Sequence, residues 1–228
     1  MLVARRRDRL DALADELRAA HGVTATVVAL DVTEPGAPRR LADTLAAQGV
    51  AVQILVNNAG FGTYGPFEHE DPDRIEAEIA LNVLALTLLS RVFFPQLLAA
   101  DHGVLVNVSS TAAYQPIPRI AVYAATKAYV RALTEALWGE AHGTGLRVIA
   151  LAPGPTRTEF FDVAGSEAFA IGQMLTVPQV VAAAFAALDR RSPPPSVVAG
   201  SRNRATAVVG RFVPRRLLIT LAGRATRP

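Results

Sequence analysis

Residues 103 to 110 read GVLVNVSS, an aliphatic run that ends in a pair of serines. Continuous apolar runs of this kind are typical of strands that are buried on both faces of a parallel sheet. The same pattern recurs at 25 to 32, 52 to 60, 146 to 154 and 196 to 200. We therefore predict a parallel strand at each of these places.

Amphipathic segments separate the apolar runs, at Asp8 to Ala20, Pro38 to Gln48, Pro72 to Ala100, Ala121 to His142 and Pro178 to Asp189. Strands that alternate with helices predict a doubly wound α/β sheet in three α/β/α layers. Because 228 residues suffice to bury one large core, we expect residues 1–228 to form a single domain, with a basic extension at about 201–228.

The composition excludes several classes of site. The chain contains no cysteine, so disulfides, zinc–thiolate sites and thiol nucleophiles are excluded. Its four histidines have no metal-ligand spacing, and we expect no metal site. Arg91 interrupts the best candidate for a membrane span, residues 84 to 98. We therefore predict a soluble, cytoplasmic protein.

Polar and turn-forming residues follow the predicted strands directly, which is where sheets of this type bind ligands. They are Asp31, Asn57, Asn58, Ser109, Ser110, Pro153 and Gly154. The next segment, YAATK at 123 to 127, contains the only lysine in a chain with 23 lysine and arginine residues. The i, i+4 spacing places Tyr123 and Lys127 on one helix face. A nearby ammonium lowers a phenol's pKa and makes acid–base chemistry possible at neutral pH.

YAATK resembles the Tyr-x-x-x-Lys motif of the short-chain dehydrogenase/reductase superfamily. Further family motifs occur in the same order: NNAG at 57 to 60, Asn82 within LNVLA, Ser110 thirteen residues before the tyrosine, and PGPTRT at 153 to 158. The resemblance extends from residue 1 to about residue 200 and implies a Rossmann-like fold. Taken singly, each residue also has an ordinary structural interpretation, as a helix-face tyrosine, a strand-end serine or a turn asparagine.

The resemblance implies a role for each matching position. Tyr123 would be the general acid/base, Lys127 would lower its pKa and hold the nicotinamide ribose, Ser110 would orient the substrate oxygen, and Asn82 would support a proton relay. Cofactor contacts would come from Asp31, Val32, Asn58, Ala59, Gly60, Tyr123, Lys127, Pro153, Gly154, Thr156 and Thr158.

The sequence departs from the family pattern at its start. Family members open with a strand and a glycine-rich loop that receives the pyrophosphate. This chain begins with MLVARRRDRLDALADEL, which resembles the end of the second strand and the following helix. We expect the missing central strand to leave two ladder edges unpaired. The alternative to an enzyme is therefore a non-catalytic, dinucleotide-sensing or interaction subunit.

Arg5 and Arg6 stand where family members that prefer NAD carry an acidic residue. Arginine forks suit a 2′-phosphate, so we expect NADP(H) to be preferred over NAD(H). The alternative is that both arginines are merely solvated at the start of a helix.

Segment 159 to 175 stands where the family carries its substrate lid, and it contains Phe160, Phe161, Phe169 and Met174. An apolar carbonyl or alcohol substrate is one interpretation, and packing of the lid onto the body is the other. Beyond Asp189 the chain carries nine arginines and no acidic residue. We expect a basic patch folded against the body or an oligomer contact, rather than a membrane-surface element or a nucleic-acid site. The family also leads us to expect a homo-oligomer.

Overall fold

The structure is a computed structural model that describes residues 1–166, 170–210 and 212–226. The chain packs as two compact units, Met1–Val50 and Ala51–Pro228. Each unit is described by itself below, and the single domain expected from the sequence stays a prediction.

The first unit is a strand–helix–strand–helix segment. It contains β1 (Leu2–Ala4), α1 (Arg7–His21), β2 (Val27–Ala29) and α2 (Ala37–Ala47). The two strands pair in parallel, with Val3 opposite Val28. Helix α1 ends at Gly22, whose φ of 63° is the left-handed conformation that glycine adopts without strain, and whose N–H donates to the Arg18 carbonyl. The sequence placed these elements correctly, since β1 coincides with the expected strand end.

The second unit contains a four-stranded parallel sheet in the order β3-β4-β5-β6. Its strands are β3 (Ile54–Asn57), β4 (Val104–Val108), β5 (Arg147–Ala152) and β6 (Ser196–Val198). Its helices are α3 (Pro72–Ile79), α4 (Leu86–Ala99), α5 (Ala121–Glu140), α6 (Phe160–Ala164), α7 (Val177–Leu188), α8 (Ser201–Val209) and α9 (Arg215–Ala225). A π-helical turn, Ala80–Ala85, joins α3 to α4.

Alternate residues of the strands face opposite helical layers, as the pleat of a sheet requires. On one face, the buried Asn107 side chain of β4 donates to Thr134 Oγ1 of α5 at 3.0 Å. On the other face, Val106 and Ile149 pack in one cluster with Val180 of α7. Helices therefore cover both faces of this sheet, which confirms the Rossmann-like α/β arrangement predicted from the sequence.

Strand β3 has a ladder partner on one side only among the described residues, namely β4. Ile54 and Val56 of this strand remain 61% and 54% exposed, whereas Leu105 and Val106 of β4 are buried. Apolar β-branched residues with this exposure are unusual in a parallel sheet, whose strands are normally covered on both faces. The exposed edge agrees with the unpaired ladder that the sequence led us to expect.

One continuous helical segment, Pro72–Ala99, is long and apolar enough by length and composition to cross a membrane. It contains Arg91, the charged residue that interrupts its apolar run. The segment passes through α3, the π-helical turn and α4, and α4 packs against β3 and β4. Glu78 and Asn82 lie fully buried within it. These contacts are those of a core helix, and core helices meet the same criteria of length and composition.

Candidate active site

Tyr123 lies in the first turn of α5, where an apolar wall surrounds its ring. The ring centroid is 5.3 Å from that of Phe160, and Phe161 and Ile120 belong to the same buried cluster. The backbone at Gly62 passes so close that a Cβ there would lie 2.8 Å from Tyr123 Cδ2. The chain thus holds the phenol in a tightly packed, apolar environment.

Burial raises the pKa of Tyr123 to about 12. Hydrogen bonding by Ser110 acts in the opposite direction, and the charge of Glu78 raises the pKa further. The Lys127 ammonium is 5.8 Å from the centroid of the ring. The loss of hydration around the phenol thus outweighs the hydrogen bond from Ser110, and the lowering expected from Lys127 stays a prediction.

Lys127 lies one helical turn after Tyr123 and is buried. Its Nζ donates to the Val108 carbonyl at 2.9 Å, and its own carbonyl accepts from Ser109 Oγ at 2.8 Å. Burial lowers the pKa of Lys127 to about 8, and the charge of Glu78 opposes this shift. The ammonium thus persists at neutral pH, with further N–H groups that can donate to hydroxyls of a ligand.

Ser110 directly follows β4 and precedes a short 3-10 turn, Thr111–Tyr114. Its Oγ accepts a hydrogen bond from the Ala112 N–H at 3.1 Å, and its hydrogen bonding to the phenol lowers the pKa of Tyr123. A hydroxyl can accept and donate at the same time. The structure thus brings Ser110, Tyr123 and Lys127 together, as the sequence predicted.

Asn82 lies in the π-helical turn and is fully buried. Its Oδ1 accepts from the Phe61 N–H at 3.2 Å, and its Nδ2 donates to the Phe61 carbonyl at 2.8 Å and to Thr126 Oγ1 at 3.1 Å. The carboxamide therefore fastens the segment after NNAG to α5. Single π-helical turns within α-helices often occur at functional sites. The proton-relay role expected for Asn82 remains a prediction.

Glu78 is the ionisable group of this region that the sequence analysis missed. It is fully buried on α3, one helical turn before Asn82. Burial raises its pKa to about 7, and the charge of Glu70 raises it further. The sequence did contain a signal for Glu78. It stands four residues before Asn82, so the two side chains lie on the same helix face.

The NNAG segment divides into a buried and an exposed part. Asn57 is buried, and its Nδ2 donates to Ser90 Oγ at 3.0 Å and to Asn107 Oδ1 at 2.8 Å, which is a structural role. Asn58 and Ala59 are exposed. A Cβ at Gly60 would lie 2.9 Å from Asn82 Oδ1 and 3.1 Å from Lys127 Nζ. Glycine therefore lets the backbone pass directly beside the lysine ammonium.

Asn203 of α8, which the sequence analysis did not identify, lies against Gly154 of the 153–158 loop. Its side chain accepts from the Gln173 N–H at 2.8 Å and donates to the Gln173 and Ala199 carbonyls at 3.1 Å. A Cβ at Gly154 would lie 2.3 Å from Asn203 Nδ2. Packing against Asn203 therefore requires a glycine at position 154, whether or not this residue also contacts a cofactor as predicted.

The threonines of the same loop are bound to its own backbone. Thr156 Oγ1 donates to the Gly154 carbonyl at 3.0 Å. Thr158 Oγ1 accepts from the Phe160 N–H at 3.3 Å. Pro153 anchors the start of the loop, because its carbonyl accepts from the Thr111 N–H at 2.8 Å. The loop is therefore a defined turn that leads into α6.

In the first unit, a cleft is lined by Arg5, Ala29, Leu30, Asp31, Glu34 and Arg40. Thr33 donates to Asp31 Oδ1 from its hydroxyl at 2.6 Å and from its N–H at 2.9 Å. These bonds lower the pKa of Asp31, and Arg5 adds a smaller effect in the same direction. Arg6 and Val32 adjoin this cleft in sequence. A carboxylate beside an arginine suits the hydroxyls and phosphates of a nucleotide.

The predicted lid residues adopt two kinds of environment. Phe160 and Phe161 pack edge-on at 5.6 Å between centroids, and Met174 is 39% exposed. Phe169 lies outside the described residues. The C-terminal helix α9 also contributes to the wall, because Ala222 belongs to the Tyr123 cluster. Tyr64 donates to the Thr226 carbonyl at 2.7 Å, so the C-terminal end of α9 packs against this site.

No group of His, Asp and Glu side chains among the described residues is arranged to hold a metal ion. The described site contains a phenol, an ammonium, hydroxyls and a buried carboxyl.

The sequence pattern of the short chain dehydrogenase family matches residues 1–168. The NADP-dependent 3-hydroxy acid dehydrogenase YdfG of Escherichia coli (strain K12) is 35% identical over 161 residues, which cover 70% of this chain and 63% of YdfG. A 7beta-hydroxysteroid dehydrogenase of Collinsella aerofaciens is 30% identical over 210 residues, which cover 90% of this chain and 77% of that protein. A short chain dehydrogenase of Pseudocercospora fijiensis is 36% identical, and the chain spans 51% of its length.

Solved structures show the same relationship. A short-chain dehydrogenase from Sphingobium yanoikuyae in complex with NADPH has a TM-score of 0.80 and 33% identity, over 92% of this chain and 82% of that chain. A 7beta-hydroxysteroid dehydrogenase structure has a TM-score of 0.81 and 27% identity, over 96% of this chain and 84% of that chain.

Proposed function

Since the chain belongs to the short-chain dehydrogenase family, we propose that it is an NADP(H)-dependent oxidoreductase that interconverts a carbonyl and an alcohol on a small apolar substrate. The observation that carries the proposal is the convergence of Ser110, Tyr123 and Lys127 at the end of β4 and the start of α5. NADP(H), when bound, supplies or accepts the hydride.

Tyr123 moves the proton that accompanies the hydride. In the reducing direction its phenol donates to the substrate oxygen, and in the oxidising direction the phenolate withdraws that proton. Ser110 directly follows β4 and forms a hydrogen bond with the Tyr123 phenol. Its hydroxyl therefore holds the same substrate oxygen by a hydrogen bond. Lys127 has a second catalytic role. Ligand binding changes the hydration around the Tyr123 ring, and the buried Lys127 ammonium then favours the phenolate form of Tyr123.

The residues present fit a nicotinamide nucleotide at two places, each within its own unit. In the second unit, Gly60 leaves room for a close approach beside Lys127 Nζ, and an ammonium donates readily to ribose hydroxyls. In the first unit, Arg5 lines the cleft that contains Asp31, and Arg6 follows it. We assign these arginines to the 2′-phosphate, which is supported by the NADP dependence of YdfG and the NADPH complex of the Sphingobium enzyme.

The apolar wall supports the substrate class. Phe160, Tyr64 and Ala170 are partly buried and pack against the Tyr123 cluster, so a carbonyl that reaches the phenol passes between apolar groups. A charged substrate would lose its hydration there without a compensating partner. We further propose that the protein works as a homo-oligomer in the cytoplasm, as the family motifs led us to expect.

Deuteride transfer tests this proposal directly. The protein is incubated with an apolar ketone and NADPH that carries deuterium on the transferring position of its nicotinamide ring. We expect an alcohol product with one deuterium on the carbinol carbon, detected by mass spectrometry. NADPH binding without deuterium transfer to any carbonyl of a broad panel would instead support a non-catalytic, dinucleotide-sensing subunit.

A further inference from the structure

Glu78 is buried beside the catalytic pair but has no part in the mechanism above. It is fully buried, its Oε1 has no hydrogen-bond partner among the described residues, and its charge acts on both Tyr123 and Lys127. A carboxylate in such surroundings is costly unless it is paired or neutralised. Within the described residues, no cation lies within salt-bridge distance of it.

The surroundings of Thr63 show how the carboxyl is accommodated. Thr63 Oγ1 lies 2.8 Å from Glu70 Oε2 and 3.1 Å from Glu78 Oε2. A hydroxyl carries one proton and two lone pairs, whereas an ionised carboxylate can only accept. Thr63 can therefore donate to one of the two carboxyls, and the other contact is a hydrogen bond only when that carboxyl is protonated and donates to Oγ1. Both contacts are therefore full hydrogen bonds when one carboxyl is protonated and the other is ionised.

The proton belongs on Glu78 rather than on Glu70. Glu78 is fully buried, whereas Glu70 is partly exposed and can keep part of its hydration. Burial raises the pKa of Glu78 to about 7, and the charge of Glu70 contributes to this shift. Near neutral pH, small changes in proton concentration therefore change the charge of this buried pair.

Other charged groups near α3 do not share this environment. Asp73, Arg74 and Glu76 on α3 are exposed, as is Asp162 on α6. On α5, Arg131 and Glu135 pair with each other at 3.7 Å. The ionisable groups that interact with Glu78 are Glu70, Lys127 and Tyr123.

We propose that Glu78 is a positioning residue that shares one proton with Glu70 through the hydroxyl of Thr63, and that the charge of this pair controls the proton affinity of Tyr123 and Lys127. The inference rests on the acid/base role proposed for Tyr123. When Glu78 loses its proton, its negative charge disfavours the phenolate and favours the ammonium. The pair thus couples the pH of the solution to the readiness of Tyr123 to act as a base.

The shared proton is measured without turnover. The protein is labelled with ¹³C at the glutamate side-chain carboxyl carbons and titrated by NMR without cofactor. We expect one resonance with a midpoint at about pH 7 that Glu78→Gln removes. Glu70→Gln should lower this midpoint because it removes a negative neighbour, and Thr63→Val should lower it as well because it removes the hydroxyl that accepts the proton of Glu78. Glu76→Gln, an exposed charge on the same helix, is the matched control and should leave the midpoint unchanged.

Control of Tyr123 is measured in the oxidising direction. Glu78→Gln should shift the rise of log(kcat/KM) with pH downward by about one unit, the scale of one neighbouring charge, and Glu76→Gln should not shift it. Absence of a glutamate that titrates above about pH 6, or a midpoint that Thr63→Val raises, would overturn the shared proton. Superimposable rate profiles of the wild type and Glu78→Gln would overturn the control of Tyr123. A wild type without turnover but with the NMR titration intact would contradict the proposed function and support the carboxyl coupling.

Discussion

Adding one methyl group at Gly62 should displace the catalytic phenol. In Gly62→Ala, the new Cβ would lie 2.8 Å from Tyr123 Cδ2, 3.0 Å from Cγ and 3.3 Å from Phe160 Cζ. Ordinary contact begins at 3.4 Å, so the Tyr123 ring must move by about 0.6 Å or more. Phe160 lies against the same ring at 5.3 Å between centroids, which limits the directions in which the ring can give way.

The expected loss follows from this displacement. A misplacement of about 1 Å costs on the order of 100-fold in rate, so we predict that kcat falls roughly 10- to 100-fold in Gly62→Ala. Overpacking should also lower the free energy of unfolding by about 1–3 kcal/mol. Steady-state oxidation and reduction by the purified variant, together with urea unfolding followed by circular dichroism, measure the two effects separately.

Gly65→Ala is the matched control. A Cβ at Gly65 would meet no atom within 4 Å, and this glycine has no positive φ. We expect its kcat to stay within about twofold of the wild type, as for surface substitutions that change stability by less than about 0.5 kcal/mol. Equal kcat values for Gly62→Ala and Gly65→Ala would refute the placement of the Tyr123 ring against Gly62.

Three further substitutions test the remaining parts of the account. Asn82→Ala should cost about 2–4 kcal/mol of unfolding free energy, because it leaves the buried Phe61 backbone groups without partners. A loss below about 1 kcal/mol in urea unfolding, compared with the exposed Gln53→Ala, would contradict this anchoring role. Replacing Arg5 and Arg6 together by Ala should weaken NADPH binding by about 10- to 100-fold and NADH binding much less, as charge-assisted hydrogen bonds to a phosphate are worth about 1.5–3 kcal/mol. Equal losses for both cofactors in fluorescence titrations would show that these arginines are structural. Asn203→Ala should loosen the 170–175 segment and speed its cleavage in limited proteolysis, since the Asn203 amide makes two hydrogen bonds to Gln173; unchanged cleavage would argue against this anchor.

The sequence predicted the elements of both units because their signals are local. Aliphatic runs and 3.6-residue periodicity placed β2 to β6 and the long helices close to their observed bounds, and the family resemblance placed β1. The relative position of Tyr123 and Lys127 could also be predicted, because their i, i+4 spacing places them on one helix face.

The sequence analysis missed what depends on packing between distant segments. Glu78 gains its significance from Thr63 and Glu70 on a preceding loop and from α5 across the helix interface. Asn203 acts on Gln173, 30 residues earlier in the chain. The burial that raises the pKa of Tyr123 was also missed, because spacing reports the nearby lysine but not the apolar wall that removes water from the phenol.

The proton transfer assigned to Tyr123 is tested most directly by single-turnover kinetics of Tyr123→Phe beside the wild type, at saturating NADPH and with an apolar ketone that the wild type reduces. The account predicts a loss of at least about 100-fold in the rate of hydride transfer, the lower bound usual for removal of a general acid. NADPH affinity, measured by fluorescence in the same samples, should stay within a few-fold because Lys127 is retained. A variant that keeps more than about a tenth of the wild-type rate would contradict the assignment of Tyr123 as the acid/base.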